Sequence, residues 1–342
     1  MSKVLVVGGG IAGMQSSLDL AEMGHQVLLV EKEKELGGNL RNLFKIFPTN
    51  MEADITLNSF TQKISKNKEI SVRFNSKISK VKKIKDIFEV SIDTKGKLET
   101  LNFDAIILAT GFVPYDPTEK TEYGYKKYSD VLTSIDLEAM IKEGKLVRRS
   151  NSERPKSITF IQCVGFRDVN AFKYCSSFCC TLAVKNAIII KEEYPEIEVR
   201  IMYMDIRTPF LYENLYSHAR ELGVKFIRSR PAEIFEKNNK LILNFEDTLM
   251  GETHRLETDL VVLSVGGIPP PETTKLSQMM KVTTNDMGFF KIQSEPSVTD
   301  SNRIFAVGVA SGPKDIDYSL SQASAASAQV NKLLRNLNVE SK

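Results

Sequence analysis

The sequence KVLVVGGGIAGMQSSLDLAEMGHQVLLVE, residues 3–31, predicts a complete strand–helix–strand unit. Residues 3–7 and 26–30 are short apolar runs, which are typical of buried parallel strands. Between them, residues 14–23 carry apolar side chains at helical spacing. We therefore expect an α/β fold in which parallel strands alternate with helices.

The turn between this first strand and its helix has the G-x-G-x-x-G spacing of dinucleotide-binding sites. Its glycines are Gly8, Gly10 and Gly13. In such turns the first glycine permits a tight bend, the second lets the backbone approach a pyrophosphate, and the third lets helix and strand pack closely. The N-terminus of the helix that follows offers free N–H groups and the positive end of the helix dipole to phosphates, and Ile11 and Ala12 of the turn are candidates to contact them. Glu31 ends the second strand and is expected to accept hydrogen bonds from ribose hydroxyls.

Three later segments favour FAD as the dinucleotide. A second glycine pair, Gly37-Gly38, follows Glu31 closely, where flavoproteins with two dinucleotide domains place glycines near the flavin. Residues 104–111, DAIILATG, predict a buried strand that ends in the Thr-Gly pair of a second FAD motif. Residues 303–308 predict another strand, which leads into a helix over 316–336 and closes the flavin site.

The candidate FAD-binding residues are Gly8, Gly10, Ile11, Ala12, Gly13, Glu31, Lys32, Gly38, Asn39, Leu40, Ile78, Thr110, Gly111, Gly308, Lys314, Asp315 and Ile316. Two positions in this set carry alternatives. Val309 follows Gly308 where an Asp usually contacts the ribityl chain, so that contact is missing or supplied otherwise. Lys314 and Asp315 either face the flavin ring or form a capping turn at the start of the final helix.

The second half of the chain repeats the α/β rhythm. Strands are predicted at 157–162, 198–204, 224–229 and 259–265, with helices at 182–193 and 209–223. The repeat predicts two Rossmann-like dinucleotide-binding domains, with the FAD domain interrupted by an inserted domain. We expect the FAD domain at 1–115 and 275–342, a connection at 116–154, and the inserted domain at 155–274. Residues 70–100 predict a small hairpin layer.

The first turn of the inserted domain departs from the dinucleotide pattern. After the strand SITFIQ the chain continues with cysteine and not with G-x-G-x-x-G, so a nicotinamide site is not expected. All the cysteines of the chain fall between this strand and the next helix, at Cys163, Cys175, Cys179 and Cys180. Four thiols match the ligand count of a [4Fe–4S] cluster.

Three interpretations of these thiols stay open on sequence grounds. The first is an iron–sulfur cluster, and the second is a dithiol/disulfide redox centre that uses two of the four. The third is a structural role, as a zinc site or as buried thiols. Zinc sites usually contain C-x2-C knuckles, and the spacing here has none.

The helix predicted after Cys180 places Cys179 and Cys180 near a helix N-terminus, whose partial positive charge stabilises thiolates. Cys175 shares a face with Cys179 if it lies on the same helical turn. Lys185 lies five residues beyond Cys180, which is not a same-face spacing, so a solvent-facing lysine is expected.

Composition excludes several function classes. The net charge of +3 is too small to indicate nucleic-acid binding, and the lysines are spread along the chain. No apolar run is long enough for a membrane-spanning helix. The opening residues predict a strand and a turn and lack a signal-peptide pattern. Clustered thiols suit a reducing compartment, so a cytoplasmic protein is expected. The three histidines are isolated in sequence, and no catalytic acid or base is predicted.

The chain resembles the A subunit of heterodisulfide reductase and its short relatives from sulfur oxidation and sulfate reduction. Besides the first glycine motif, the resemblance rests on IFPTN at 46–50, QCVGFRD at 162–168, YCSSFCC at 174–180 and GPKDI at 312–316. It implies a thioredoxin reductase-like flavoprotein core and a non-standard [4Fe–4S] cluster. The cysteines that match the family's cluster ligands are Cys163, Cys175, Cys179 and Cys180.

The long methanogen forms of this family carry further ferredoxin-like C-x2-C-x2-C segments, which are absent here. The chain is therefore more similar to the short, sulfur-oxidation type. The resemblance implies B- and C-type subunits and electron carriers as partners, and a homodimer. The expected function is a FAD- and [4Fe–4S]-containing electron-transfer subunit in cytoplasmic sulfur metabolism. The alternative is a stand-alone flavin-dependent disulfide reductase that uses a cysteine pair.

Overall fold

The structure of the protein is a computed structural model that describes residues 1–293 and 296–340. Residues 294–295 and 341–342, which belong to the predicted FAD segment 275–342, lie outside the described residues. The chain forms two compact units. Unit 1 comprises 1–41, 53–113 and 268–342, and unit 2 comprises 42–52 and 114–267.

The strands of the described residues are β1 (Lys3–Val7), β2 (Gln26–Val30), β3 (Lys45–Ile46), β4 (Met51–Glu52), β5 (Ile70–Arg73), β6 (Ser76–Ile84), β7 (Ile87–Thr94), β8 (Lys97–Phe103), β9 (Ala105–Leu108), β10 (Val113–Pro114), β11 (Val131–Thr133), β12 (Ser157–Val164), β13 (Glu198–Tyr203), β14 (Lys225–Arg228), β15 (Glu233–Lys237), β16 (Lys240–Asp247), β17 (Glu252–Thr258), β18 (Leu260–Val265), β19 (Gly267–Ile268) and β20 (Ile304–Ala306). The α-helices of the same residues are α1 (Ile11–Glu22), α2 (Ala53–Lys66), α3 (Ser134–Lys142), α4 (Cys179–Glu193), α5 (Glu213–Glu221), α6 (Glu272–Met280) and α7 (Ile316–Glu340).

Unit 1 is built on a five-stranded sheet in the order β20-β9-β1-β2-β5, and all its strand pairs are parallel. Its central strands are apolar and buried on both faces, as parallel sheets require. The predicted hairpin layer needs correction. Residues 70–73 pair with β2 in the main sheet, and the antiparallel layer consists of β6, β7 and β8. Period-two alternation could not separate these two environments.

Unit 2 repeats this architecture. Its parallel sheet has the order β11-β18-β12-β13-β14, and it also has a three-stranded antiparallel sheet, β15-β16-β17. Residues 116–154, expected only as a connection, contribute β11 and α3 to this unit. Residues 42–52, which the sequence assigned to the FAD domain, also pack in unit 2.

The strand β12 and the helix α4 flank the cysteine segment. β12 continues to Val164, so Cys163 belongs to the strand, and its register with β18 shifts between Ile161 and Val164. The helix α4 begins at Cys179, three residues earlier than the apolar pattern predicted. The core of unit 2 packs around Phe160, with other members from α4, β13 and β18.

None of the helices in the described part of the chain combines the length and the apolar character that are needed to span a bilayer.

Candidate functional site

The glycine turn of unit 1 is tightly packed against its own backbone. A Cβ on Gly13 would lie 1.9 Å from the carbonyl oxygen of Gly8, and a Cβ on Gly8 would lie 2.4 Å from the carbonyl oxygen of Ala109. Gly8 also has a φ of +108°, which disfavours any side chain. Gly10 differs, because its Cβ would meet nothing within 4 Å. The turn thus packs closely at two glycines and leaves open space at the third.

The start of α1 is available to an anion. Its N-cap residue is Gly10, and no side chain caps the helix. The first turn, with Ile11 and Ala12, therefore presents N–H groups toward the open space at Gly10, which is the arrangement that binds phosphates. This geometry fits the predicted pyrophosphate site.

Glu31 lies beside this turn. Its side chain is buried, and its Oε2 accepts the N–H of Gly9 at 2.6 Å while Oε1 accepts the N–H of Glu33 at 2.8 Å. Two backbone N–H groups therefore fix the carboxylate of Glu31, the residue predicted to bind ribose. Lys32 forms an exposed ion pair with Glu272 at 3.4 Å, and burial in β6 places Ile78 in the core of unit 1.

The second glycine pair contacts the first turn. The N–H of Gly37 donates to the carbonyl of Gly9 at 2.8 Å, and a Cβ on Gly38 would lie 3.3 Å from the Cα of Gly10. Leu40 is buried, and the amide of Asn39 donates to the carbonyl of Phe112 at 2.8 Å. The structure therefore brings the segment 37–40 to the edge of the glycine turn.

The end of β9 leaves a polar atom unmatched. Thr110 Oγ1 is buried and has no hydrogen-bond partner among the described residues. Gly111 follows it with a φ of +66° and open space where a Cβ would stand. An orphaned hydroxyl beside an open glycine fits a polar group of a bound FAD, because buried hydroxyls normally have partners.

The segment after β20 contacts the start of α1. A Cβ on Gly308 would lie 2.8 Å from the Cβ of Ala12, and the N–H of Gly308 donates to Gln322 Oε1 at 2.9 Å. Lys314 Nζ donates to the carbonyls of Gly308 and Gly312 at 2.7 and 2.8 Å. The side chain of Asp315 accepts the N–H of Tyr318 at 2.8 Å.

Both charged residues therefore shape the turn before α7, which is the capping alternative considered from sequence. Ile316 is the first residue of α7. Gln322 was not predicted from the sequence, because its partner Gly308 lies on a different element and no local pattern links them.

In unit 2, the segment between Cys163 and Cys175 closes on itself. The N–H of Phe172 donates to the carbonyl of Gly165 at 3.0 Å, and the N–H of Arg167 donates to the carbonyl of Tyr174 at 3.1 Å. Four aromatic rings with centroids 5.4–5.9 Å apart pack within it and beside it. They belong to Tyr115, Phe166, Phe172 and Tyr174. The loop is thus held by its own backbone and by an apolar cluster.

An ion cluster fixes the same loop from its other side. Asp168 accepts from Lys120 Nζ at 2.7 Å and from Arg230 Nη2 at 2.9 Å, and Arg230 also donates to the hydroxyl of Tyr123 at 2.9 Å. The hydrogen bonds from Lys120 and Arg230 hold the pKa of Asp168 well below its usual range. The motif at 162–168 includes Asp168 but predicts no role for it, since its partners Lys120 and Arg230 lie far away in the chain.

The cysteines flank this loop: Cys163 lies in β12, Cys175 follows the loop, and Cys179 and Cys180 begin α4. All are free, and Cys163, Cys179 and Cys180 are buried while Cys175 is partly exposed. Cys175 precedes α4, so the conditional shared helical face with Cys179 does not exist. Ser176 Oγ donates to Cys179 Sγ at 3.2 Å.

Backbone groups contact two of these sulfurs. The N–H of Ser177 donates to Cys175 Sγ at 3.4 Å, and Cys180 Sγ donates to the carbonyl of Asp205 at 3.8 Å.

The thiols also influence one another electrostatically. Burial, with a smaller contribution from Cys179, raises the pKa of Cys163 to about 11, and the nearby Arg167 opposes this shift. The hydrogen bond between Cys179 and Cys180 raises the pKa of Cys179 and lowers the pKa of Cys180. The site therefore holds thiols in mutual contact next to a cation and a helix N-terminus.

No group of three or more His, Cys, Asp or Glu side chains that could hold a metal ion is formed within the described residues. The predicted set of four ligands is thus not displayed as a coordination group. The donor chemistry still fits a cluster, because the chain holds four free thiols, three of them buried, that act on one another electrostatically.

Lys185 is not the solvent-facing lysine that its spacing predicted. Its side chain is 4% exposed, and Nζ contacts Glu138 Oε1 at 2.6 Å and the carbonyl of Lys45 at 3.0 Å. The other oxygen of Glu138 accepts the N–H of Phe44 at 2.7 Å. Burial lowers the pKa of Lys185. This ion pair binds residues 44–45 to the helix that carries Cys179 and Cys180.

Comparison with known proteins places this geometry in a family. Residues 2–148 match the family described as pyridine nucleotide-disulphide oxidoreductase. An iron-sulfur A subunit of CoB–CoM heterodisulfide reductase from Methanopyrus kandleri is 35% identical over 96% of this chain and 63% of its own length. The A subunit of the H(2):CoB-CoM heterodisulfide,ferredoxin reductase from Methanothermobacter thermautotrophicus is 34% identical, with the same coverage of both chains.

The chain is similar to heterodisulfide reductase A subunits over almost its whole length. The resemblance predicted from its motifs is confirmed, and the chain spans about 63% of the length of these curated relatives.

Solved structures confirm the fold class of this heterodisulfide reductase homologue. Thioredoxin reductase from T. acidophilum superposes with a TM-score of 0.68 at 17% identity, covering 97% of this chain and 99% of that one. Thioredoxin reductase from Lactococcus lactis gives a TM-score of 0.68 at 19% identity, covering 98% and 100%. The fold is that of thioredoxin reductase-like, Rossmann-type flavoproteins, and FAD is the cofactor that this fold and the matched family support.

Proposed function

We propose that this chain is a flavin-dependent oxidoreductase, the electron-transfer subunit of a heterodisulfide reductase-like complex in sulfur metabolism. In this proposal, unit 1 holds FAD and unit 2 holds a [4Fe–4S] cluster. One observation carries it: four free thiols occupy the strand–turn–helix position of unit 2 that matches the glycine turn of unit 1. The names of the relatives, which describe one as an iron-sulfur protein and the other as part of a ferredoxin reductase, support it.

In unit 1 the chain's own groups bind and orient the dinucleotide. The uncapped N-terminus of α1 receives the pyrophosphate at the open space beside Gly10. Glu31 accepts from the ribose, and the unmatched hydroxyl of Thr110 bonds to a polar group of the flavin moiety. When bound, FAD supplies two-electron chemistry and can release its electrons singly.

In unit 2, Cys163, Cys175, Cys179 and Cys180 are the proposed ligands, and a bound cluster would supply one-electron transfer. The stacked rings of Phe166 and Phe172 support the loop between Cys163 and Cys175. The N-terminus of α4 and the guanidinium of Arg167 stabilise negative charge at the sulfurs.

Partners and compartment belong to the same proposal. We propose B- and C-type subunits and electron carriers as partners, since the relatives are named as subunits of a complex. A homodimer follows from the family resemblance. A reducing cytoplasm suits four thiols that form no disulfide.

The alternative is a stand-alone flavin disulfide reductase, favoured by the adjacent free thiols of Cys179 and Cys180, which shift each other's pKa. An anaerobic reductive titration separates the two functions. FAD plus a cluster takes up about three electrons per chain, whereas FAD plus a disulfide takes up about four. Cys179→Ser should reduce the uptake to about two electrons and remove the iron while FAD stays bound. An uptake of about four electrons by iron-free protein would refute the proposal.

A further inference from the structure

Arg167, in the loop between Cys163 and Cys175, has a guanidinium group of which only one side is paired. Its Nη2 donates to the carboxylate of Asp205 at 2.7 Å. Its Nη1 is buried and has no hydrogen-bond partner among the residues that the structure describes. Buried donors normally have an acceptor, and those of charged groups most of all. The guanidinium of Arg167 therefore has donor capacity left at Nη1.

The backbone holds Arg167 in an unusual conformation. Its φ is +54°, in the left-handed region that few residues with long side chains adopt. Its N–H donates to the carbonyl of Tyr174 at 3.1 Å, and the N–H of Phe166 donates to the carbonyl of Cys163 at 3.1 Å. Such conformations persist where neighbouring contacts hold them, and they are typical of functional sites. The side chain of Arg167 thus starts from a fixed point beside Cys163.

Two of the thiols lie close to this guanidinium. Burial raises the pKa of Cys163, and Arg167 partly opposes that shift, so the guanidinium acts on this thiol. Asp205, which accepts from Arg167, also accepts a hydrogen bond from Cys180 Sγ at its backbone carbonyl, at 3.8 Å. The guanidinium is therefore near Cys163 and also near the residue that contacts Cys180.

Neighbouring cations are placed differently from Arg167. Lys185, on the helix that carries two of the cysteines, forms a buried ion pair with Glu138 at 2.6 Å. Arg207 and Arg228 are both exposed residues. Exposed charges are screened by solvent, so we expect these two arginines to influence the buried thiols weakly. Arg167 combines a buried, unmatched donor with a position next to a thiol.

We propose that Nη1 of Arg167 donates a hydrogen bond to a sulfur of the cluster held by the four cysteines and thereby raises its reduction potential. The proposal rests on the proposed function, because it names the residue that regulates the potential of that cluster. Arg167 stabilises the extra negative charge that one-electron reduction brings to the sulfurs more than it stabilises the oxidised form.

A redox titration followed by EPR, on protein purified without oxygen and carrying its FAD and iron, tests this role. Dithionite and ferricyanide set the potential, with dyes as mediators. Arg167→Gln should make the equilibrium constant for one-electron reduction about tenfold smaller, which is a decrease of about 59 mV in midpoint potential. Arg167→Lys keeps the charge but loses the planar fork that serves two acceptors, so we expect at least about half of this decrease.

Arg228→Gln is the control that removes the same charge. Arg228 also acts on Asp205, more weakly than Arg167 does, but it is exposed. This variant should change the equilibrium constant by less than about twofold, because solvent screens the charge. Equal shifts in Arg167→Gln and Arg228→Gln would show that only long-range charge acts and would overturn the hydrogen bond. A wild-type midpoint in either Arg167 variant would overturn it as well.

A second measurement detects the hydrogen bond in the wild-type protein. The chain is labelled with ¹⁵N only at the guanidinium nitrogens of arginine, and the reduced protein is examined by pulsed EPR. This label excludes the backbone N–H of Arg207, which donates to the sulfur of Cys180. We expect a ¹⁵N coupling to the cluster that Arg167→Lys abolishes. Absence of the coupling in wild-type protein would overturn the proposal.

Iron and FAD contents keep the two proposals distinct. Iron-free wild-type protein that retains FAD would refute the proposed function, and the role of Arg167 would fail with it. Iron-loaded wild-type protein with the same midpoint as Arg167→Gln would refute only the role of Arg167. If Arg167→Gln loses its iron, the ¹⁵N coupling in wild-type protein decides whether the hydrogen bond exists.

Discussion

Two strand–turn–helix segments of this chain share a scaffold and differ in what their turns contain. β1 and β12 are each the third strand of a five-stranded parallel sheet, and each leads to a helix without a side-chain cap. Between β1 and α1 stand only residues 8–10, all glycine. Between β12 and α4 stand residues 165–178, which contain Cys175 and three aromatic rings of the packed cluster.

The two turns build their sites by opposite means. In unit 1 the absence of side chains creates the site, because only glycine lets backbone, helix and second glycine pair approach one another. In unit 2 side chains create it: rings and the Asp168 ion cluster hold the loop that brings thiols together. In the proposed function, one scaffold would serve two ligand chemistries, and the turn, not the sheet, would determine which.

The largest effect should come from a side chain that supports the cysteine turn. Lys185→Met leaves Glu138 buried without its cation, and we expect a loss of about 3–5 kcal/mol in the free energy of unfolding. Anaerobic urea unfolding of the whole chain measures this loss in free energy. Lys185→Met with Glu138→Leu removes both charges and should recover most of the loss. A loss below about 1 kcal/mol in the single variant would show that unit 2 does not depend on this pair.

In unit 1 we expect stability to depend most on the close backbone packing at the glycine turn. Gly13→Ala places a Cβ 1.9 Å from the carbonyl oxygen of Gly8, so helix and turn must separate. We expect a loss of about 1–3 kcal/mol in unfolding free energy and loss of FAD. Unfolding midpoints and FAD per chain after anaerobic gel filtration measure both. Wild-type stability with a full complement of FAD would contradict the proposed role of the close packing.

Gly10→Ala should weaken FAD binding without changing the stability of the fold. The new Cβ would meet no atom within 4 Å, and the φ of −73° suits alanine, so the unfolding midpoint should not change. FAD affinity should nevertheless fall about tenfold or more, since the methyl group occupies the space proposed for the pyrophosphate. Fluorescence titration of apoprotein with FAD measures it. Unchanged affinity would place the pyrophosphate elsewhere.

The smallest effect concerns the ion cluster at Asp168. Its pKa in the folded protein lies below the unfolded value, so its contribution to stability is present above about pH 4 and is lost as the pH falls toward the lowered pKa. Asp168→Asn should be less stable than wild type by about 1 kcal/mol near neutral pH. Urea midpoints measured from pH 6 downwards should show this difference shrinking below about pH 4. A difference that grows below pH 4 would contradict the assignment.

The sequence predicted those elements whose signals are local. The strands β1 and β2 have the predicted bounds, because short apolar runs beside a glycine turn allow few other conformations. The segment 70–73 was placed in the wrong layer, since alternation does not reveal which strand is the pairing partner. The strand β11 was missed within a polar stretch, where three residues carry too little pattern.

The candidate site divides in the same way. The glycines and cysteines were found because spacing alone identifies them. Glu138, Asp168 and Gln322 were given no role, because each acts on a backbone or charge far away in sequence. The prediction that Lys185 faces solvent was wrong for this reason, since residues 44–45 contact its ion pair from a distant part of the chain.

The measurement that tests the contrast between the two turns most directly is iron and acid-labile sulfide per FAD, on protein purified without oxygen. We predict about four iron and four sulfide per FAD, the content of one [4Fe–4S] cluster for each flavin. Protein with a full complement of FAD, titratable thiols and no iron would contradict this account and favour a dithiol reductase.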